Sequence, residues 1–495
     1  MSSEFYSTTA TPPSRSELVA AVRSDDFARL DQLYFAWEDQ LKQLSPEGAS
    51  DFGLLSGYAF RQYRSLSLHE AAEVAKSGTV YTEFFVQRVL PRLIATRPQL
   101  VGITIASQEQ MIPAVELMHH IRRLLPETFL ILGGNVVTRL RGTDAFETLT
   151  SLVDVTVLFQ GELGFATTLH AISELGVAGA RRALPRVLGN EQVPYDRWPV
   201  PSFAGIDFAR LVGIPVLPYV STRGCYWGKC SFCAIPAGWS ETGYGGSAPA
   251  DFVAGQLLEM RQNTGIPRVK FVDEAFPPAK VRPLADFLMR QDVTIEWEAY
   301  ARLEPSWEDL GLLESARAGG LRKLYFGLEQ APSASRAVFG KNDRGNPTRI
   351  LAMCDRAGIK VHLFCMVGHP GTSKADAHST VQFLLDNQHL INAADVVGFR
   401  LDRGTTVSGV RPVHRNAQDW AMGSQYEPTD AGSLSPEEVA DLEGHCQETI
   451  WESCPRLLHP LYRIVGNWET VEPAIEPGPP SEIRPPCPPN LHSMA

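Results

Sequence analysis

The chain has 495 residues, enough for two or three domains that each bury a core, and its 44% hydrophobic and 20% charged content is that of a water-soluble globular protein. No stretch approaches the roughly 18 consecutive apolar residues of a membrane span, and the net charge of −11 argues against a nucleic-acid polyanion as main partner. The opening MSSEFYSTTATPPSRSE lacks a basic segment followed by an apolar one and carries Ser2 where myristoylation needs glycine, so a cytosolic location is expected, where clustered cysteines stay reduced.

Residues 1–85 read as a helical region after a polar Ser/Thr/Pro start, with apolar residues at helical spacing over 28–44 (ARLDQLYFAWEDQLKQL). From residue 86 the texture changes. LVGITIAS (100–107) predicts a buried strand, MIPAVELMHHIRRLLP (111–126) an amphipathic helix, FLILGGN (129–135) a second strand, and VDVTVLFQGELG (153–164) a third that ends in a glycine-rich turn. Strand, helix, strand is the rhythm of a doubly wound, Rossmann-like sheet over 86–190, whose ligands sit at the carboxyl ends of the strands. The proline-bearing stretch 191–205 (EQVPYDRWPVPSFAG) predicts a linker.

Six strand-like runs follow over 191–410: PVLPYVS, RVKFVDE, TIEWEAYAR, RKLYFGLE, IKVHLFCMVG and ADVVGFRL, spaced as βα units. Six units make a partial (β/α)6 barrel of the TIM type, with helices outside and the site at the carboxyl ends of the strands. Side-chain alternation agrees. Trp297, Ala299 and Ala301 oppose Glu298, Tyr300 and Arg302; Leu324, Phe326 and Leu328 oppose Lys323, Tyr325 and Glu329; Val361, Leu363 and Val367 oppose His362, Phe364 and Met366. The polar set is expected to face the lumen. Residues 411–495 form a looser C-terminal region with one helix near 436–453 and a proline-rich tail, EPAIEPGPPSEIRPPCPPN, that forbids regular structure.

STRGCYWGKCSFCAIP (221–236) places Cys225, Cys230 and Cys233 just after the first barrel strand, at the mouth where such a fold does its chemistry. Three thiolates on one short loop can hold three irons of a cubane cluster and leave the fourth open to a ligand. A zinc site needs a fourth ligand, and no further Cys or His lies near the loop in sequence. Cys365 shares parity with the outward apolar residues and reads as a core cysteine.

This motif, the six βα units, and the later YFGLEQA (325–331) and MVGHPGTS (366–373) resemble the radical S-adenosylmethionine (SAM) enzymes over about 190–405. The resemblance is to the branch whose barrel follows a cobalamin-binding-like domain, similar to maturases of ribosomally made peptides and other natural-product enzymes. It extends back to about residue 95. The commoner family spacing has three residues between the first two cysteines; here Tyr226, Trp227, Gly228 and Lys229 make four.

The resemblance implies a [4Fe–4S] cluster on the three cysteines, SAM chelated to its open iron, and reductive cleavage to methionine and a 5′-deoxyadenosyl radical that takes hydrogen from a peptide or small-molecule substrate. It implies a flavodoxin- or ferredoxin-like electron donor. By the same resemblance Phe232 presents backbone to the adenine, Asp273 and Glu274 hold the SAM amino group, and Arg302, Glu329 and the Gly368–Gly371 turn line the rest of the pocket. Gly133, Gly134 and Gly161 are similar to strand ends on which cobalamin rests, with methyl transfer as one outcome if cobalamin is bound. Two departures stand out: there is no D-x-H-x-x-G segment for a lower axial histidine, and no apolar opening strand. The competing readings are a cluster-bearing electron carrier or sensor, and a tRNA methylthiolating enzyme. The latter normally has further cysteines upstream, whereas residues 1–224 have none.

Overall fold

The computed structural model describes residues 66–459 apart from 190–191, 207, 209–214, 292 and 342–343, together with residues 17, 20–21, 24, 26–43 and 63. The proline-rich tail and the Ser/Thr/Pro start lie outside the described residues. Among the described residues no helix is long and apolar enough to cross a membrane.

The expected N-terminal helix is present as α1 (Phe27–Gln43). It is followed by α2 (Leu68–Ser77), begun by a capping box in which Ser67 and Glu70 satisfy each other's backbone N–H groups. A four-stranded parallel sheet then runs in the order β1 (Leu100–Thr104), β2 (Phe129–Gly133), β3 (Val155–Val157), β4 (Val187–Leu188). Alternation along β2 splits its neighbours between two layers. Leu130 and Leu132 pack with α3 (Met111–Leu124), α4 (Asn135–Leu140) and α5 (Asp144–Leu152), while Phe129 and Ile131 pack with α6 (Gly161–Ala183). The loop leaving β2 therefore turns to one face and the loop leaving β3 to the other, the divergence that opens a ligand crevice in sheets of this kind.

The lobe's core reaches beyond 86–190. Leu68, Ala71 and Ala75 of α2 belong to it, and so do Trp420 and Met422 from the far end of the chain.

The second body starts with β5 (Leu217–Tyr219) and an antiparallel hairpin, β6 (Thr222–Gly224) and β7 (Tyr244–Ser247), with the short α7 (Pro236–Trp239) between its arms. Then come α8 (Ala250–Thr264), β8 (Arg268–Phe271), α9 (Val281–Met289), β9 (Glu296–Ala301), α10 (Leu310–Ala318), β10 (Leu321–Glu329), α11 (Ser333–Val338), α12 (Pro347–Arg356), β11 (Lys360–Val367), α13 (Lys374–Asp386) and β12 (Ala393–Gly398). All six runs read as barrel strands pair in parallel, in the order β5-β8-β9-β10-β11-β12, and β5 and β12 end the sheet without meeting. The chain thus has the two-body α/β architecture that the sequence predicts, a Rossmann-like lobe followed by a partial (β/α)6 barrel.

The barrel's alternation is also as expected. Trp297, Ala299, Leu324, Phe326, Leu328, Val361, Leu363 and Cys365 are buried between sheet and helices. On the inner side, Tyr300, Tyr325, His362 and Phe364 stack, with centroids 5.0 Å apart for Tyr300 and Tyr325 and 4.9 Å for His362 and Phe364. Lys270 lies 4.1 Å above the Tyr325 ring and 3.5 Å from Glu298, so this charged, aromatic layer fills the barrel beneath the mouth.

After β12, the strands β13 (Leu401–Asp402), β14 (Val410–Val413) and β15 (Gly423–Pro428) form a small antiparallel sheet that residue spacing does not announce. The segment between β14 and β15 crosses to the lobe, where Trp420 donates to Leu66 O at 2.9 Å and Leu68 N donates to Gln418 O at 3.1 Å. The expected helix α14 (Pro436–Ser453) then packs along β12.

Candidate functional site

Cys225, Cys230 and Cys233 lie in the loop that joins β6 to β7, directly above the mouth of the barrel strands. Glycine makes the hairpin's neck possible: Gly224 has φ +80°, and a Cβ there would overlap Gly243 O. The loop is pinned from the other side by the segment after α11. Ser231 N donates to Phe339 O at 2.9 Å, and the Trp227 indole N–H donates to Gly340 O at 3.0 Å. Within the four-residue span between the first two cysteines, Trp227 lies under Arg302, whose guanidinium sits 4.4 Å from its ring.

The thiols are unbridged and half-buried. Burial pushes Cys230 up to about 11 and Cys233 up to about 12, and each is also raised by the neighbouring Cys225. Thiols held this way ionise only against strong positive charge, which a metal centre provides. Among the described residues, no three His, Cys, Asp or Glu side chains gather closely enough to hold a single metal ion. By donor chemistry, three thiols on one loop suit three irons of an iron–sulfur core, whereas a tetrahedral zinc needs a fourth ligand.

Charges of both signs face the thiols. A register shift between Gly327 and Glu329 ends β10, and Glu329 adopts φ +59°, a strained conformation for a side-chain-bearing residue. Its carboxylate accepts from Lys341 Nζ at 2.7 Å, and Lys341 also donates to Gly327 O at 2.6 Å. A Cβ on Gly327 would overlap both the ammonium and the carboxylate, so that pair can keep its place only beside glycine. Arg302, buried, pairs with Glu304 at 3.2 Å, and Glu304 also accepts from Tyr226 at 2.8 Å. Lys341 and Arg302 lower the Cys230 thiol while Glu329 raises it, which places all three beside the loop. Residue spacing gave no signal for Lys341 or Glu304: each reaches the site from a segment beyond a strand, with no motif around it.

The pair Asp273–Glu274 divides. Asp273 is 1% exposed and accepts from Ser221 N at 2.6 Å, from Thr222 N at 3.0 Å and from the Ser221 hydroxyl, so its carboxylate ties the chain leaving β8 to the junction between β5 and the hairpin. Lys280 caps the same knot, donating to Ser221 O at 3.1 Å and Thr222 Oγ1 at 3.0 Å, and burial brings its pKa down to about 8. Those bonds give Asp273 a structural role of its own. Glu274 points to the loop: it accepts from the Trp239 indole at 3.2 Å and raises the Cys233 thiol.

Phe232 packs its ring edge-on against Phe339 at 5.9 Å and His369 at 6.3 Å, which leaves its backbone as the part that can face a ligand. The Gly368–Gly371 turn holds left-handed φ values of +74° and +82°, and a Cβ on Gly368 would crowd Val439 of α14. Between them His369 is 3% exposed, 4.5 Å from Phe339 and 5.0 Å from Phe399. Burial lowers its pKa to about 4. Because the folded pKa lies below the unfolded value of about 6.5, stability is expected to be flat above pH 6.5 and to fall as pH drops toward 4, by on the order of 3 kcal/mol. Urea titrations of wild type and His369→Asn across this range check it: the variant should lose that part of the acid sensitivity, and equal slopes would refute the assignment.

The carboxyl edge of the lobe faces the same loop. Arg223 pairs with Glu162 and donates to Gln160 at 2.6 Å, and Arg141 pairs with Glu241 at 2.9 Å. The three lobe glycines differ in kind. Gly134 has φ +113° and would drive a Cβ into the Ile105 backbone, so packing alone demands glycine there. At Gly133 a Cβ would meet only Val157 O, at 3.3 Å, and at Gly161 nothing lies within 4 Å. Gly161 is the open cradle of the three.

No family model matches the chain, and no curated protein matches it. Solved structures do. TsrM from Kitasatospora setae, a radical S-adenosylmethionine methyltransferase with cobalamin and a [4Fe-4S] cluster bound, superposes with a TM-score of 0.58 at 16% identity, over 82% of this chain and 92% of that one. The same enzyme with a tryptophan substrate and a SAM analogue bound gives a TM-score of 0.55 at 16% identity, over 78% and 86% of the two chains. OxsB, a cobalamin-dependent S-adenosylmethionine radical enzyme with aqua-cobalamin and S-adenosylmethionine bound, gives 0.56 at 14% identity, over 74% of this chain. The match spans 60% of the OxsB chain. The fold of this chain is that of cobalamin-dependent radical SAM enzymes.

Proposed function

We propose that this chain is a radical SAM enzyme that acts on a peptide or small natural product in the cytosol, receiving electrons from a flavodoxin- or ferredoxin-like donor. The observation that carries the reading is the meeting of three unbridged cysteines, on a pinned loop, with Arg302, Lys341 and Glu329 at the barrel mouth. When bound, a [4Fe–4S] cluster supplies the electron that breaks a carbon–sulfur bond of SAM, and a cobalamin supplies a carrier for its methyl group. The protein's part is to hold and orient. Cys225, Cys230 and Cys233 hold the cluster. Glu329, Lys341 and Arg302 offer charge to the amino and carboxylate groups of SAM, and their existing pairs mean that no charge is left bare before the ligand arrives. The aromatic layer of Tyr300 and Phe364 closes the lumen below and keeps water from a reactive radical. Anaerobic reconstitution with iron and sulfide, followed by assay for 5′-deoxyadenosine or methylated product, tests the reading.

The charged residues give a graded test. Glu329→Gln and Arg302→Met are expected to raise the SAM dissociation constant about tenfold or more without loss of iron, the cost of one charge-assisted hydrogen bond. Gly327→Ala should do the same from a residue without functional groups, because it displaces the Lys341–Glu329 pair, whose flexible ends let the fold survive. Calorimetric titration of the reconstituted protein with SAM reads all three, and unchanged affinity throughout would mean that these groups serve only the protein.

Cobalamin-dependent methyl transfer requires the lobe to bind the corrin, and the glycines discriminate. Gly161→Trp should leave the melting temperature unchanged and lower the corrinoid absorbance retained after reconstitution with hydroxocobalamin. Gly134→Ala should instead destabilise the lobe, by about 2 kcal/mol or more, whether or not a corrin binds there. Equal corrinoid retention by wild type and Gly161→Trp would count against cobalamin at this edge.

A further inference from the structure

The side chains that face the barrel lumen are unevenly spread. From β9 to β12 they meet one another: Tyr300, Tyr325, His362 and Phe364 stack, and Asp395 pairs with His362 at 2.8 Å. Along β5 and β8 they do not. Leu217, Tyr219, Val269 and Phe271 are buried against the helices, so alternation turns Pro218, Lys270 and, one residue past each strand, Val220 and Val272 toward the lumen. Val272 N donates to Tyr219 O at 2.9 Å, which carries the pairing of the two strands up to that level. Pro218 is exposed, Val220 is half-buried and Val272 is 36% exposed. Apolar side chains left uncovered side by side on the inside of a barrel form the wall of a chamber.

The chamber lies beneath the cysteine hairpin, since Thr222 opens β6 two residues past Val220. Beside Val272 on the next strand is Tyr300, half-buried, whose ring lies 5.9 Å from that of Phe364 and within 27° of parallel. The Tyr300 hydroxyl is not sealed, and it has no hydrogen-bond partner among the described residues. Charge at this depth is already matched. Lys270 sits 3.5 Å from Glu298 and 4.9 Å from the Tyr300 ring, and Asp395 is held by His362. A cation arriving here meets a ring face that an ammonium already holds, and an anion meets the Glu298 and Asp395 carboxylates. Neither recovers its lost hydration. An uncharged ring gains from the apolar wall and stacks on Tyr300 and Phe364.

We propose that the part of the substrate that enters the barrel is an uncharged aromatic ring, seated between the Val220 and Val272 wall and Tyr300, while charged parts of the substrate stay at the mouth. The inference rests on the reading that the barrel is the substrate site, and it narrows the substrate class to molecules that present a neutral ring. Tyr300 Oη supplies a single polar contact. A phenol is therefore accepted as well as a phenyl group.

The test is saturation-transfer NMR of the full-length chain, as purified and after anaerobic reconstitution, with N-acetyl-phenylalanine amide as the probe. Two further probes carry the same ring with a carboxylate or an aminomethyl group at its para position. Saturable binding of the neutral ring is expected, weakened about tenfold or more by either charge. Val272→Asp and Tyr300→Ala should weaken the neutral probe to a similar degree, with melting temperature followed alongside. Val272→Thr, which keeps the side chain's shape, should weaken it severalfold and serves if the aspartate variant does not fold. Absence of saturation up to about 10 mM probe would overturn the proposal. Equal binding of the charged rings, or undiminished binding by Tyr300→Ala and Val272→Thr, would overturn it too. Ring binding retained by a chain that never cleaves SAM would count against the function proposed above and not against the chamber, whereas SAM cleavage without ring binding would do the reverse.

Discussion

Alanine in place of any one of Cys225, Cys230 or Cys233 is expected to abolish iron and sulfide retention and to lower SAM-dependent turnover at least about a thousandfold, since two thiolates cannot hold a cubane. The fold should survive. The loop is fixed by bonds that none of the three side chains makes: Ser231 N to Phe339 O, Trp227 to Gly340 O, and the Asp273 knot at its base. The measurement is iron and sulfide per chain in anaerobically reconstituted protein, with a thermal melt alongside. Wild-type iron in all three variants would end the assignment, and so would zinc at one per chain in place of iron.

The largest loss of stability is expected from Asp273→Ala. The substitution strips the acceptor from three donors at Ser221 and Thr222 and removes the carboxylate that favours the charged form of the half-buried Lys280. Breaking one side of a buried charged network costs about 3–5 kcal/mol, a large share of what holds a domain together. Denaturant titration should show it, with Asp273→Asn less severe because the amide oxygen keeps one acceptor. If Asp273→Ala melts with wild type while SAM affinity falls, the carboxylate serves the ligand and not the fold.

The architecture was legible because its signals are periodic. Alternation on β9, β10 and β11 separated Trp297 from Glu298 and Phe326 from Tyr325 without reference to any partner, since the pleat alone fixes which side a residue faces. The cysteines were legible because three of one rare type in a short loop have few readings. Lys341 was not. It enters the site from beyond α11, and its importance lies in the space left by Gly327, a relation between two positions that neither reveals singly. The packing roles of Asp273 and Gly134 were hidden for a shared reason: a polar or small residue at a strand end has the same appearance in sequence whether it meets a ligand or a neighbouring backbone. The C-terminal strands escaped notice because β14 and β15 are short and carry proline and charge, with only Tyr426 buried along β15.

The segment that carries Trp420 and Met422 into the lobe bears on the order in which the chain can mature. Synthesis proceeds from the N-terminus, so the lobe's own strands leave the ribosome long before residue 420. Until then a core that includes Leu68 and Val115 lacks an indole that it buries, together with the bond from that indole to Leu66. The last barrel strand ends at Gly398, and the barrel core also takes Leu442, Cys446, Ile450 and Leu457, which follow this piece in the chain. Both bodies thus wait for the C-terminal region, and a chain halted shortly after Gly398 would carry all six barrel strands without the helix that covers β12, beside a lobe still open at α2.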